Sequence, residues 1–118
     1  MGTLVGWMRL AVGVGMMAAP ARVLRLGSSE PPAGDMTLMT RTVGVRDLVI
    51  GMGTVQGCRS RADAAGRQWI ALGLCSDTLD LIIGVASARQ VGRRGAFIAA
   101  LAPVPFVALD IAALLAAE

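Results

Sequence analysis

The sequence predicts an all-α protein, an integral membrane antiparallel four-helix bundle that occupies residues 1–118 as a single transmembrane domain. Three observations lead to this fold class. The composition is 55% apolar with a mean hydropathy of +0.67, more than an ordinary soluble domain carries. Four apolar segments alternate with short polar connections. Each segment carries small or charged residues three and four positions apart, which places them on one face of a helix.

The first apolar segment covers residues 3–20 and carries a single charge, Arg9, beside glycines on the same stripe. At 1.5 Å per residue such a helix is about 27 Å long, enough to cross a thin hydrocarbon core. A cleaved signal peptide is the alternative, because Ala19-Pro20-Ala21 has the form of a cleavage site and its use would remove residues 1–21. The apolar residues that precede Arg9 favour a retained span instead.

The second segment covers residues 36–58 and contains the Arg46-Asp47 dipeptide close to its centre. At that depth a charged side chain cannot easily reach the headgroups, so both residues need partners inside the protein. The inward stripe of this helix consists of Thr40, Gly44, Asp47, Gly51 and Thr54. Its small residues predict a close neighbouring helix.

The third segment covers residues 68–88 and the fourth covers residues 96–117. In the third, Asp77 and Asp80 are three residues apart and share a face. In the fourth, prolines at 103 and 105 should kink the helix before Asp110. Across all four segments, the positions that we expect to pack helices together are glycines: Gly6, Gly13, Gly44, Gly51, Gly73 and Gly84.

Arginine counts in the connections predict the orientation in a cell inner (plasma) membrane. Short connections favour an up-down-up-down arrangement with both termini on one side. The two connections on the far side carry Arg22, Arg25, Arg89, Arg93 and Arg94, and the near side carries Arg59, Arg61 and Arg67. Because the side richer in arginine faces the cytoplasm, both termini are expected outside it.

The charged interior is the candidate functional site, formed by Arg9, Arg46, Asp47, Asp77, Asp80 and Asp110. From their depths we expect Arg9 to pair with Asp110, and the other four residues to form a separate cluster. Two positive and four negative side chains leave a formal charge of minus two. We expect this charge to be removed by protonation of one or two aspartates, or by water at a helix end. Alternatively, Asp47, Asp77 and Asp80 bind a proton or cation reversibly.

Several classes of function are disfavoured by what the chain contains. It has no His, and Cys58 and Cys75 form no CxxC motif, so we expect no metal site, cofactor or catalytic nucleophile pair. We therefore expect no enzyme. The net charge of +3 comes from arginines in loops without stacking aromatic residues, so we expect no nucleic-acid partner. The expected partners are the lipid bilayer and either further copies of the chain or a larger membrane complex.

Residues 44–51, with the pattern Gly-x-Arg-Asp-Leu-x-x-Gly, and the Asp-x-x-Asp pair at 77–80 give the chain a family likeness. Together with the arginine of the first segment and the prolines of the fourth, they resemble uncharacterised small bacterial four-span membrane proteins that are DoxX-like. The resemblance implies a four-helix membrane bundle, and for some members an association with quinone or redox partners. This chain has neither Tyr nor His to handle a quinone, so the resemblance bears on architecture more than on activity. It favours a multi-pass membrane protein with a structural or accessory role; the alternative is a small proton- or cation-coupled transporter or small-molecule binder.

Overall fold

The structure is a computed structural model that describes residues 1–26, 31, 33–60, 63–87, 89 and 102–117. All of the regular secondary structure in these residues is helical. Within these residues there are five helices: α1 (Gly2–Ala18), α2 (Pro20–Arg25), α3 (Gly34–Arg59), α4 (Asp63–Ala86) and α5 (Val104–Ala116). The predicted all-α class is confirmed. The short helix α2 is an addition, and it lies where a polar connection was predicted.

The start of α4 differs from the start of the predicted third segment. This helix begins at Asp63, five positions before the predicted start at residue 68. Hydropathy placed the boundary too late because Asp63, Gly66 and Arg67 are polar or small. The two alanines between them are strong helix formers, and they keep this stretch helical.

The prolines of the last segment lie at the start of α5 and not in the interior of a helix, where they would kink it. Pro103 is the N-cap residue and Pro105 is in the first turn, where a helix does not use its backbone N–H groups. Residues 96–101 of the predicted segment lie outside the described residues. So do Arg61, Arg93 and Arg94, three of the arginines used to predict the orientation.

The long helices pack antiparallel, with α3 between α1 and α4, and with α5 against α4 and α1. Gly13 of α1 lies against Gly44 of α3, and about two turns away Gly6 lies against Gly51. A Cβ at Gly13 would fall 2.7 Å from the Gly44 carbonyl oxygen, and one at Gly51 would fall 2.8 Å from that of Gly6. These backbones therefore touch at a distance that only glycine permits.

Close packing also joins α3 to α4, through Gly53 and Gly57 of α3, two glycines spaced as GxxxG. The Trp69 ring occupies the space where a side chain at Gly53 would lie, and Gly57 contacts the backbone of Gly66. Both glycines are thus used inside the chain. The sixth predicted packing residue, Gly84, is buried near the end of α4.

Burial in this protein is the reverse of that in a soluble domain. Among the described residues, five hydrophobic residues are buried, whereas twenty-two large ones are exposed. The buried set also contains four charged residues, Arg9, Asp47, Asp77 and Asp110. Soluble proteins rarely bury charges or expose apolar residues on this scale. By length and composition, one described segment, Ala64–Ala86, could cross a membrane unaided; the apolar helices α1 and α5 are shorter, at 17 and 13 residues.

Hydroxyl groups along α3 are satisfied within the helix itself. Thr40 and Thr54, both buried, donate to the carbonyl oxygens of Met36 and Ile50 at 2.8 Å. Thr78 of α4 does the same toward Leu74 at 2.7 Å. Such bonds to the carbonyl four residues earlier leave the hydroxyl with no need for water. The stripe of α3 can therefore be buried without an unpaired donor.

Candidate functional site

A continuous network of six charged side chains connects the four long helices. Its members are Arg9 of α1, Arg46 and Asp47 of α3, Asp77 and Asp80 of α4, and Asp110 of α5. The sequence predicts all six as a buried charged interior; four of them are buried, whereas Arg46 and Asp80 are partly exposed. They reach one region because each lies near the middle of a helix that packs beside the next.

Arg9 is the centre of this network. Its Nη1 donates to Asp47 Oδ1 at 3.3 Å, and its Nη2 donates to Asp110 Oδ2 at 2.5 Å and to Asp77 Oδ2. The three acceptors belong to α3, α5 and α4, so one guanidinium from α1 holds a residue of every other long helix. Its side chain is 1% exposed. An arginine can do this because its planar fork offers five N–H donors.

Arg46 occupies the other end of the network, between α3 and α4. Its Nη1 lies 2.6 Å from Asp80 Oδ2, and its Nη2 lies 3.7 Å from Asp47 Oδ1 and 3.9 Å from Asp77 Oδ1. The side chains of Arg46 and Asp80 are 28% and 35% exposed. The network therefore runs from a sealed end at Asp110 to a partly open end at Asp80.

The structure joins two groups of charges that the sequence predicts to be separate, the Arg9–Asp110 pair and the cluster of the other four residues. Arg9 was expected to pair with Asp110 alone, and the contact between those two residues is present. Arg9 also reaches Asp47 and Asp77, which were assigned to a second cluster. The position of each charge along its helix correctly predicts which charges lie at the same height in the bundle. It could not show that α1 lies within reach of both α3 and α4.

Gly73 and the Phe106 ring form the binding site of the Arg9 guanidinium. A Cβ at Gly73 would fall 2.8 Å from Arg9 Nη2, so the absence of a side chain there makes room for the group. The guanidinium carbon lies 4.7 Å from the centre of the Phe106 ring, a cation–π distance. Sequence analysis gave neither residue this role. The signal was present as spacing, because Gly73 and Phe106 each lie four residues before a network aspartate.

Two polar atoms of the network are buried without a hydrogen-bond partner among the described residues: Arg46 Nε and Asp110 Oδ1. The second is the more consequential because the Asp110 residue is 0% exposed. A buried carboxylate oxygen without a donor is costly while it carries charge. The sealed end of the network is therefore its least satisfied part.

A separate crevice of about 290 Å³ opens near the start of α1 and the end of α5. It is lined by Gly2, Cys58, Gly66, Arg67, Ile70, Ala113 and Ala117. None of these residues belongs to the network. The small apolar cluster of Val5, Ile70 and Ala113 lies beside it and packs this end of the bundle.

The described side chains contain no group of three or more His, Cys, Asp or Glu arranged to hold a metal ion. The network acids are spread over three helices, and the two guanidinium groups lie between them. No family model, curated protein or solved structure matches this chain. Any function must therefore be argued from the network and from the surface that surrounds it.

Proposed function

We propose that the chain is a multi-pass integral membrane protein of the inner membrane, DoxX-like in architecture, with a structural or accessory role. In this proposal α1, α3, α4 and α5 cross the bilayer with both termini outside the cytoplasm. The exposed apolar side chains face lipid, and further copies of the chain or a larger membrane complex cover part of them. The network provides the attachment between the helices.

The observation that carries this proposal is the contact of Arg9 with an aspartate on each of the other three long helices. Lipid tails are as apolar as leucine, so apolar burial gives membrane helices little reason to associate. An ion pair in hydrocarbon is different, because separating its members would leave charges without partners. One guanidinium that binds three carboxylates therefore fixes the arrangement of all four helices.

The apolar exterior supports the membrane environment. Large apolar residues such as Leu72, Leu79 and Ile83 are more than half exposed along α4. A soluble chain of this size would gain by burying them, at roughly 25 cal/mol for each square ångström. The acids and arginines occupy the interior instead. This inversion is what a bilayer solvent favours.

The experiment that tests the proposal combines fractionation with one substitution. We expect the expressed chain to remain in the membrane fraction after an alkaline wash and to require detergent for extraction. Asp77→Asn should lower the folded yield in detergent, because Asp77 contacts both arginines. The control Asp35→Asn removes an exposed acid that bonds only to the neighbouring Met36 N–H among the described contacts, and its yield should match the wild type. A chain that stays in solution without detergent would refute the proposal.

A second candidate function is a small proton- or cation-coupled transporter or binder. The observation that favours it is the continuity of the network from the sealed Asp110 to the partly exposed Asp80. Intramembrane acids in such a row are typical of proton relays. Under this alternative, Asp80→Asn should leave the fold intact and abolish the pH dependence of proton flux in liposomes.

A further inference from the structure

The six charges of the network are not equally matched along its length. Asp47 and Asp77, in the middle, each lie within ion-pair distance of both arginines. Among the arginines of the described residues, Asp80 meets only Arg46, and Asp110 meets only Arg9. Two guanidinium groups neutralise two carboxylates, so two of the four acids are in excess. A charge at either end has one guanidinium near it, whereas a charge in the middle has two.

The two end residues differ in their access to water. The Asp80 side chain is 35% exposed, so water or headgroups can stabilise its charge. Asp110 is 0% exposed, and its Oδ1 has no donor among the described residues. An ionised carboxylate in that position would have one oxygen unsupported in an apolar environment.

The groups that face Asp110 from each neighbouring helix do not correct this deficit. From α1 it meets Arg9, which two further carboxylates share. From α4 it faces Asp77, a like charge, and the bare backbone at Gly73. From α3, Asp47 is a further like charge that shares Arg9 with Asp110. Arg46 and Asp80 pair with each other at the open end, and Arg67 of α4 lines the crevice.

We propose that Asp110 is a proton-binding site, in which Oδ1 carries the proton and Oδ2 accepts the hydrogen bond from Arg9. A proton removes the charge that this oxygen has no donor to stabilise, and the described residues offer no group that would hold a metal ion instead. Binding forms a single O–H bond and removes one of the two surplus charges. The second surplus charge stays on Asp80 at the open end. The inference rests on the membrane bundle proposed above, whose hydrocarbon would keep bulk water from Asp110.

Infrared spectroscopy of the full chain in detergent at neutral pH tests this proposal. A protonated carboxylic acid has a C=O stretch that is separate from that of a carboxylate and shifts in deuterium oxide. We expect this band in the wild type, its loss in Asp110→Asn, and its retention in the control Asp35→Asn. A wild type without the band would overturn the proposal. So would a band that survives in Asp110→Asn and disappears in Asp80→Asn.

Thermal unfolding provides a second measurement that does not depend on the band. Asparagine has the shape of a protonated aspartate and retains the oxygen that accepts from Arg9, so Asp110→Asn should unfold at the wild-type temperature. Asp77→Asn should unfold at a lower temperature, because an ionised acid is lost there. If Asp110→Asn folds but unfolds as early as Asp77→Asn, an ionised acid is lost there too and the proposal is wrong. If the variant does not fold, the infrared band of the wild type decides the proposal. Solubility without detergent would instead refute the membrane location, and the infrared band could still be measured in buffer.

Discussion

Arg9 and Arg46 contact the same two aspartates, yet their surroundings differ in every other respect. Arg9 is 1% exposed, touches three helices besides its own, and rests against Gly73 and Phe106. Arg46 is 28% exposed and pairs closely only with Asp80, at the border of α3 and α4. The two residues have identical side chains and similar depths along their helices. Their positions in the bundle separate them.

The difference shows that the free-energy cost of removing one member of an ion pair depends on which partners the other members keep. Without Arg9, Asp110 would lose its arginine contact in a closed space, and Asp47 and Asp77 would keep only their longer contacts with Arg46. Without Arg46, Asp47 and Asp77 would still have Arg9, and Asp80 could turn outward. The protein should therefore tolerate loss at the rim of the network much better than loss at its centre.

The largest effect is expected from the replacement of Arg9 by an apolar residue of similar length. Arg9→Met should destabilise the bundle by about 3–5 kcal/mol, the range for breaking a buried ion pair from one side. In practice this would appear as little or no monodisperse protein after extraction. Size-exclusion chromatography followed by Trp fluorescence measures it, because Trp69 packs on Gly53 and reports on the α3–α4 contact.

Arg46→Met is the matched comparison for that experiment. The substitution removes the same group from the same network, and we expect folded protein with a modest drop in unfolding temperature. Equal losses for the two variants would contradict the distinction between the centre and the rim. A larger loss for Arg46→Met would reverse it.

An intermediate effect is expected at Gly73, where the centre of the network needs space. Gly73→Ala would place a methyl group 2.8 Å from Arg9 Nη2 and 3.1 Å from Asp110 Oδ2. Because the guanidinium is held by three acids, it cannot move aside freely, and overpacking of this kind costs about 1–3 kcal/mol. The control is Gly15→Ala on α1, where a Cβ meets nothing within 4 Å; there the better helix propensity of alanine should stabilise by about 0.5–1 kcal/mol. If Gly73→Ala were as stable as Gly15→Ala, the space between Gly73 and the Arg9 guanidinium would be larger than these distances indicate.

The sequence contained enough information for the inward faces but not for the neighbours of each helix. The stripe from Thr40 to Thr54 was read from spacing alone, and all five of its residues are buried. Spacing works there because helical geometry is local. The contact of Arg9 with Asp77 depends on how α1 and α4 approach across the bundle, which no local pattern encodes.

Boundaries were harder to predict than faces, and the reason is chemical. Pro103 and Pro105 looked like a kink within a long helix, because an apolar run continues on both sides of them. In the structure they begin α5, the position where proline's missing N–H costs nothing. The sequence predicts a later start for α4 because Asp63, Gly66 and Arg67 have the composition of a polar connection. The membrane itself stays a prediction, since one described segment alone meets the length and hydropathy of a span.

The smallest effect on stability is expected at the open end, with Asp80→Asn. The pair with Arg46 is close, at 2.6 Å, but Asp80 and Arg46 are both partly exposed, and ion pairs with that access to solvent contribute about 0–1 kcal/mol. The variant should therefore unfold within a few degrees of the wild type. Its proton flux in liposomes, read with a pH-sensitive dye, then decides between the two candidate functions. A stable variant whose flux loses its pH dependence would assign Asp80 to a proton path. If neither the wild type nor the stable variant produces proton flux in liposomes, the network has the structural role alone. An acid on a proton path would make the wild type conduct, and its replacement would change that flux.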